Sequence, residues 1–362
     1  MAEKHSMRKT IRFLLWVVAS LTFFLAGFLF IAWFTRYQPA SIETNEPLKT
    51  PLHCQNPEPL PDTLKLVTWN IGYAGLGASM DFFYDGGKRV RCSREETLEN
   101  LRGIIQHEAL SQRPDFIFMQ EVDQHARRTY YLDETDSISS AFNEYTSWFV
   151  KNYDVKFVPL PWYNPMGRVV AGLLTLSKYP ALESFRISLP GKFDFVTQLF
   201  MLNRCAHVLK FPASNNKKLV VINTHNTAFD DGTQRIAQWN FIHDYALKEY
   251  SEGNYVVVGG DFNLNPPCFN PNLIATGDKA YSQPGGFPPC NAYPQGWNFI
   301  YQKEFPTNRN VDEAYQRGQT PVTTIDFFIL SPNISCIHHH TWFDGFRFSD
   351  HHPVEAEIVL LK

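Results

Sequence analysis

The sequence predicts one α/β domain standing behind a single membrane-spanning helix. Three observations carry this. From residue 64 to residue 361, short β-branched runs alternate with amphipathic helical patterns. Residues 13–34 contain no charge at all. And one apolar run after another ends in an acid, an amide or a histidine.

The uncharged run, "FLLWVVASLTFFLAGFLFIAWF", is long enough to cross a bilayer core of ~30 Å at ~1.5 Å per residue. Lys4, Arg8, Lys9 and Arg12 precede it, and the next basic residue is Arg36. That asymmetry assigns residues 1–12 to the cytoplasm, 13–35 to an uncleaved anchor, and residues 36–362 to the far side of the membrane. The exit "IAWFTRY" lacks the small-residue pattern of a signal-peptide cleavage site. Residues 36–63 are polar and proline-rich, the composition of an extended tether, and the globular domain is expected over 64–362.

Strands are expected at "LKLVTWN" (64–70), "DFIFMQE" (115–121), "AGLLTLS" (171–177), "KLVVINTH" (218–225), "NYVVVGGD" (254–261), "TTIDFFILS" (323–331) and "VEAEIVLL" (354–361). Helices are expected over 93–110, where Ser93 and Glu96 have capping-box spacing, and over 231–250. Six cysteines include no C-x-x-C pair, which argues against a structural zinc site. Cys268 and Cys290 bracket a Pro- and Gly-rich loop and are the best disulfide candidates, with two unpaired thiols as the alternative. "HHH" at 338–340 reads as a solvated strand or loop.

The net charge of −3, with no basic block beyond the first dozen residues, gives no support to bulk electrostatic binding of nucleic acid. The chemistry lies at the strand ends instead. Asn70, Glu121, His225 and Asp261 each close an apolar run; Asp326 interrupts one, and Asp350-His351 precedes the last. Strand ends are rigid places from which separate segments aim side chains at one cleft. Burying so many acids and amides together is costly without a partner, and a divalent cation with a phosphate is the simplest one. Oxygen donors suit Mg²⁺ or Mn²⁺, with Glu121 and Asn70 as natural ligands and Asp350 as a third. Asp261-x-Asn263 pairs a carboxylate that can activate water with an amide that can hold a phosphoryl oxygen.

In its order along the chain, this set resembles the endonuclease/exonuclease/phosphatase superfamily of metal-dependent phosphoesterases. The matching pieces are "TWNIG" (68–72), "MQEVD" (119–123), "GLLTLSKYP" (172–180), "INTHN" (222–226), "GGDFNLNP" (259–266), "TIDFFILS" (324–331) and "FSDHHPVEAEI" (348–358). The resemblance implies a four-layered α/β sandwich of two packed, mixed, largely antiparallel sheets flanked by helices. It makes Glu121 the principal metal ligand with Asn70 beside it, and gives Asp350 a supporting place. Asp261 would activate the water, Asn263 hold the phosphate, and His351, oriented by Asp326, contact the scissile group. His225 would serve as general acid or phosphate ligand. The superfamily often has Leu after this histidine, whereas Asn226 stands here, a departure on the substrate side.

Arg127 or Arg128 is a candidate clamp for a second phosphate, and Asn164 and Arg168 are further substrate candidates. The function expected is hydrolysis of a phosphodiester or a phospholipid head group. A nuclease, a small-molecule phosphatase and a non-catalytic binding domain are the alternatives. The last would be marked by loss of the glutamate, the Asp-x-Asn or the final histidine, and all are present. Nothing in the sequence points to a protein partner.

Overall fold

The computed structural model describes residues 2–52, 56–191, 193–228, 230–283 and 288–362. Its first element is the helix α1 (Ala2–Phe34), whose apolar surface is exposed along its length. This helix is long and apolar enough to cross a membrane.

Two sheets make the domain. The six-stranded sheet runs β15 (Ile334–Thr341), β16 (Val354–Leu360), β2 (Thr63–Asn70), β3 (Phe116–Asp123), β5 (Gly167–Ser177), β4 (Thr146–Val158). The seven-stranded sheet runs β1 (Ile42–Thr44), β6 (Glu183–Ser188), β7 (Cys205–Pro212), β8 (Lys218–His225), β9 (Tyr255–Asp261), β14 (Asp326–Leu330), β11 (Asn298–Ile300). A small third sheet joins β10 (Lys279–Ala280), β13 (Pro321–Thr323) and β12 (Asn308–Arg309).

Side-chain alternation builds the layers. Along β2, Leu64 and Leu66 face the other sheet and meet Leu219, Val221, Val257 and Phe328 in a core between the sheets. Val67 and Trp69 point the opposite way, onto α2 (Arg94–Ile105), α3 (Glu108–Ser111) and α4 (Glu134–Ala141). On the far face of the second sheet, Val256 and Val258 pack against Trp239, Ile242 and Ala246 of α6 (Thr233–Ser251), which follows the short turn α5 (Phe195–Gln198) in the helix order. The order helix, sheet, sheet, helix is the four-layered sandwich expected. The capping box also forms: Glu96 N donates to Ser93 Oγ and Ser93 N donates to the Glu96 carboxylate. The helix expected over 93–110 breaks at Gln106, because His107 caps the new turn α3 with its own Nδ1.

Each of the two large sheets is mainly antiparallel but holds one parallel pair at its centre, β2 with β3 and β8 with β9. Crossover connections of the βαβ kind, through α2 and α3 in one case and α6 in the other, make those pairs possible. Parallel neighbours end on the same side, so each pair delivers two strand ends to one rim of the sandwich.

The stretch 36–63 departs from the free tether expected. Its strand β1 pairs antiparallel with β6, Leu48 N donates to Ser147 O, and Leu60 is buried in the inter-sheet core. Composition cannot separate a coil from a segment that closes an open sheet edge, which is what β1 does for β6. Cys268 and Cys290 are joined in a disulfide, resolving that alternative. His338 and His339 lie exposed on the edge strand β15.

Candidate active site

Gly259-Gly260 explains how β9 can reach the rim. At Gly260 the backbone has φ 145°, and a Cβ there would collide with the Thr224 carbonyl of β8. At Gly259 it would strike Phe328 and Phe118. Only glycine lets β9 lie this close to both neighbours and still end at the cleft. β8 and β9 stay in register to their last residues, so His225 stands opposite Asp261. On the other flank of β9, Asp326 opens β14 opposite the same aspartate.

Glu121 arrives differently. It sits in left-handed backbone, φ 54°, where the β3–β5 register slips between Met119 and Val122. This bulge swings its carboxylate out of the strand and into the cleft. Asn263 also has positive φ, 50°. Non-glycine residues in this region store strain, and strain concentrates at functional sites.

These ends converge on a cavity of about 530 Å³. Asn70 Nδ2 donates to Asp261 Oδ2 at 3.0 Å and to Glu121 Oε1 at 3.3 Å, while its Oδ1 accepts from Gly72 N at 3.0 Å. Asn263 N donates to Asp261 Oδ1 at 2.8 Å. His225 Nε2 lies 3.3 Å from Asp261 Oδ2 and 3.9 Å from Glu121 Oε1. His351 Nδ1 is paired with Asp326 Oδ2 at 2.8 Å, and its Nε2 faces Asn308 Nδ2 at 3.0 Å and the Asp350 carboxylate at 3.9 Å.

Burial and crowding set the charges. Burial, reinforced by Asp326 and only partly offset by His351, pushes the Asp261 carboxyl up to about 7. Asp350 is pushed up to about 7 as well, by burial and by Glu121, again against His351. Burial opposes charge on His351, but Asp326, Asp350 and Asp261 outweigh it and lift its pKa to about 10. His225 is driven well below its ordinary value by burial, with the charges of Arg204 and His351 adding to it.

The donor set fits a hard divalent cation. Carboxylates whose pKa is raised by burial and, secondarily, by their mutual repulsion are a site that a cation would relieve. Asp326 Oδ1 and His225 Nδ1 are buried with no hydrogen-bond partner among the described residues. Two oxygen-rich groupings overlap here. Asp261, Asp326 and His351 bring ligand atoms within 4.8 Å of one another. But His351 Nδ1 and Asp326 Oδ2 already hold each other, and both Asp261 oxygens accept hydrogen bonds, so Glu121 and Asp350 form the freer oxygen pair. Asn70 turns its nitrogen, not its oxygen, toward the carboxylates, and in this arrangement it orients them.

The eight residues Asn70, Glu121, His225, Asp261, Asn263, Asp326, Asp350 and His351 thus lie together. The four substrate candidates do not join them as free groups. Arg127 donates to Pro165 O, Asn164 accepts from Arg91, and Arg168 pairs with Asp154 at 2.8 Å. Arg128 lines the cavity, but its guanidinium is held by both oxygens of Asp123 at 2.8 and 3.0 Å and lies 3.6 Å over the Tyr73 ring. The acid that claims it stands five residues earlier, at the end of β3. Sequence reasoning missed Asn308, which lies beside His351 Nε2, and Arg204 and Arg309 on the cavity wall. None of them ends an apolar run, so no strand-end signal marks them.

A model of the Endonuclease/Exonuclease/phosphatase family matches residues 67–351. The chain belongs to this family. Its members are hydrolytic phosphoesterases, typically dependent on a divalent metal. Among solved structures, D. rerio TDP2 complexed with single-strand DNA product superposes with a TM-score of 0.51 at 15% identity, covering 82% of this chain and 99% of that one. ANGEL2, a 2',3'-cyclic phosphatase, gives 0.52 at 13% identity, covering 90% and 99%. At such identities the likeness speaks for the fold. No curated protein matches the chain in sequence.

Proposed function

We propose that this member of the family is a membrane-anchored, Mg²⁺- or Mn²⁺-dependent hydrolase of a phosphodiester, with a phospholipid head group as the favoured substrate. The observation that carries the reading is the convergence of Asp261, Asn263, His225 and the His351–Asp326 pair on one cavity floor. Glu121 and Asp350 would hold the cation. When bound, it would neutralise and polarise phosphoryl oxygens.

The chain's own groups divide the remaining work. Asp261, fixed by Asn70 and by the Asn263 amide, accepts a proton from the attacking water and orients it. Asn263 Nδ2, now bonded to Asn226 O at 3.0 Å, is the amide placed to turn onto a phosphoryl oxygen. His351 donates a hydrogen bond from Nε2 to the scissile group while Asp326 accepts from Nδ1, orienting the ring and supporting its charge. His225, kept neutral by burial, binds the leaving oxygen by a hydrogen bond from its ring N–H.

The lipid reading is supported by the apolar helix and by a net charge of −3. Nucleic acid is the second reading, favoured by the DNA product on the TDP2 neighbour but unsupported by any basic stretch beyond the anchor's flank. A small phosphomonoester is the third. Detergent-solubilised full-length protein, assayed with Mg²⁺ or Mn²⁺ on phospholipid vesicles, a chromogenic diester, a phosphomonoester and DNA, discriminates them. Turnover of DNA alone would reject the lipid reading, and turnover of none would reject the hydrolase. The charge flanking the anchor supports a domain outside the cytoplasm, so protease added to intact spheroplasts should digest it. Full protection in sealed cells would reverse the topology.

A further inference from the structure

Three arginines line the catalytic cavity, and their partners differ. Arg128 is neutralised by Asp123. Arg309 spends its guanidinium on the carbonyls of Asn310, Glu313, Leu76, Gly77 and Met80. The Arg204 side chain makes no hydrogen bond or ion pair with any described residue, although it is only 8% exposed. Its Nη1 is fully buried and unpartnered. A guanidinium does not shed its proton at physiological pH; the nearby charges of Glu121 and Asp261 act on it, but no anion among the described residues is hydrogen-bonded to it.

Its position says which anion. Arg204 stands just before β7, held by Leu189 N donating to its own carbonyl. Together with Met201 and Leu202 it lines both the catalytic cavity and a neighbouring cavity of about 510 Å³. Asp261, His225, Asn263 and Glu121 line only the first of these. The second cavity is walled by Arg36, Tyr37 and Ser41, which follow the apolar helix, and by Ser188, Phe193 and Asn203. Arg36 is its other cation among the described residues. Its one acidic wall residue among the described residues, Asp154, is already held by Lys151 and Arg168 at 2.8 Å each. The space beyond Arg204 is therefore cationic and roomy, and it adjoins the reaction centre.

We propose that this second cavity is a subsite for the part of the substrate beyond the scissile phosphate, and that Arg204 pairs there with a second anionic group of that substrate. The proposal rests on the hydrolase reading and adds the substrate's charge pattern: one anion at the metal site and another at Arg204. Bidentate pairing with phosphate, sulfonate or carboxylate oxygens is the geometry a free guanidinium favours. Arg204 is a specificity residue, since it makes no hydrogen bond or ion pair with Asp261, His225 or Glu121.

The test compares two chromogenic diesters, propyl p-nitrophenyl phosphate and its 3-sulfopropyl analogue, which differ by one anionic group that binds Mg²⁺ weakly. The full-length protein should prefer the sulfopropyl ester at least ~10-fold in kcat/KM, mostly through KM. Arg204→Gln should erase that preference and cost the propyl ester much less. Arg204→Lys should retain part of it. Equal losses on both esters, or a preference that survives in Arg204→Gln, would overturn the proposal. A second arm measures binding of inorganic phosphate by calorimetry in EDTA, with no turnover involved. Phosphate should bind the parent protein and bind Arg204→Gln at least ~10-fold more weakly, with thermal melts showing both folded. Binding indifferent to residue 204 would overturn the subsite even if hydrolysis holds. Binding that depends on it, with neither ester turned over, would keep the subsite and reject the hydrolase reading.

Discussion

On the floor of the cleft, strand ends bring Asn70, Glu121, His225 and Asp261 together, each carried by one of two central parallel pairs. On its wall, Arg128, Arg204 and Arg309 arrive from a short turn, a connection and a two-residue strand. The floor is set by strand pairing, which a slip of one residue would destroy because it turns every side chain to the other face. The wall is set by which partner each guanidinium meets, a matter of tertiary contacts far apart in sequence. Floor residues are thus defined by their place in a sheet, and wall residues by their neutralisation.

If the floor is the chemical machine, the largest effect should come from removing what it holds. Chelation should abolish hydrolysis, and Mg²⁺ or Mn²⁺ should restore it, because the donors are carboxylates. Undiminished turnover in metal-stripped protein would break the contrast outright.

Single floor residues come next. Asp261→Asn should lower kcat by ~10²–10⁴ with little change in metal affinity measured by calorimetry. Glu121→Gln should weaken metal affinity and rate together. His351→Ala should cost a similar order in kcat/KM, and Asp326→Asn less. The 2.8 Å pairing of Asp326 with His351 makes the two a unit, so the double variant should fall little below His351→Ala alone. Effects that multiply would give Asp326 a separate task, such as ligating the cation within the Asp261–Asp326–His351 grouping.

The wall calls for the opposite signature. Arg128→Ala leaves Asp123 buried at 0% exposure without its counter-ion, and loss of one partner of a buried pair costs about 3–5 kcal/mol. Urea denaturation should register that loss. Unchanged stability with a raised KM would instead make Arg128 the substrate clamp that its loop suggested.

The same contrast explains what could be read in the chain beforehand. The floor was legible because strand ends announce themselves: β-branched runs stop at Asn70, Glu121, His225 and Asp261, and their order matched a known pattern. The inter-sheet core followed from alternation in strands such as β2. The long strand β4, "TSWFVKNYDVKFV", was not legible, because its lysines, asparagine and aspartate break the apolar run. Arg128, an exposed clamp by composition, became a buried ion pair through Asp123. Arg204 looked like any basic residue in a connection, and nothing local could say that no acid would meet it. Nor could composition say that 36–63 would dock on β6 and the inter-sheet core rather than trail as a coil.

The smallest effect tests whether the floor's scaffold can be weakened without touching its chemistry. Leu101 and Ile104 of α2 pack on Trp69, the residue before Asn70, so this helix supports the floor from behind. Its N-terminus is closed by the Ser93–Glu96 capping box, and Arg89 pairs with the same glutamate. Ser93→Ala should cost about 1 kcal/mol, a fall in Tm of no more than roughly 2–4 °C. Turnover at temperatures well below the melt should stay within twofold of the parent, since the cap touches no floor residue. The glutamate adds a pH signature. The hydrogen bond from Arg89 and the Ser93 amide hold its carboxyl down to about 2, against the opposing effect of burial. A lowered folded pKa contributes stability that is complete above the unfolded value near 4.5 and is lost as pH falls toward about 2. Tm measured from pH 6 to pH 3 should therefore fall less steeply in Glu96→Gln than in the parent protein. Parallel curves would show that the box does not hold the helix, and a loss of turnover in Ser93→Ala at full folding would show that scaffold and floor are not separable.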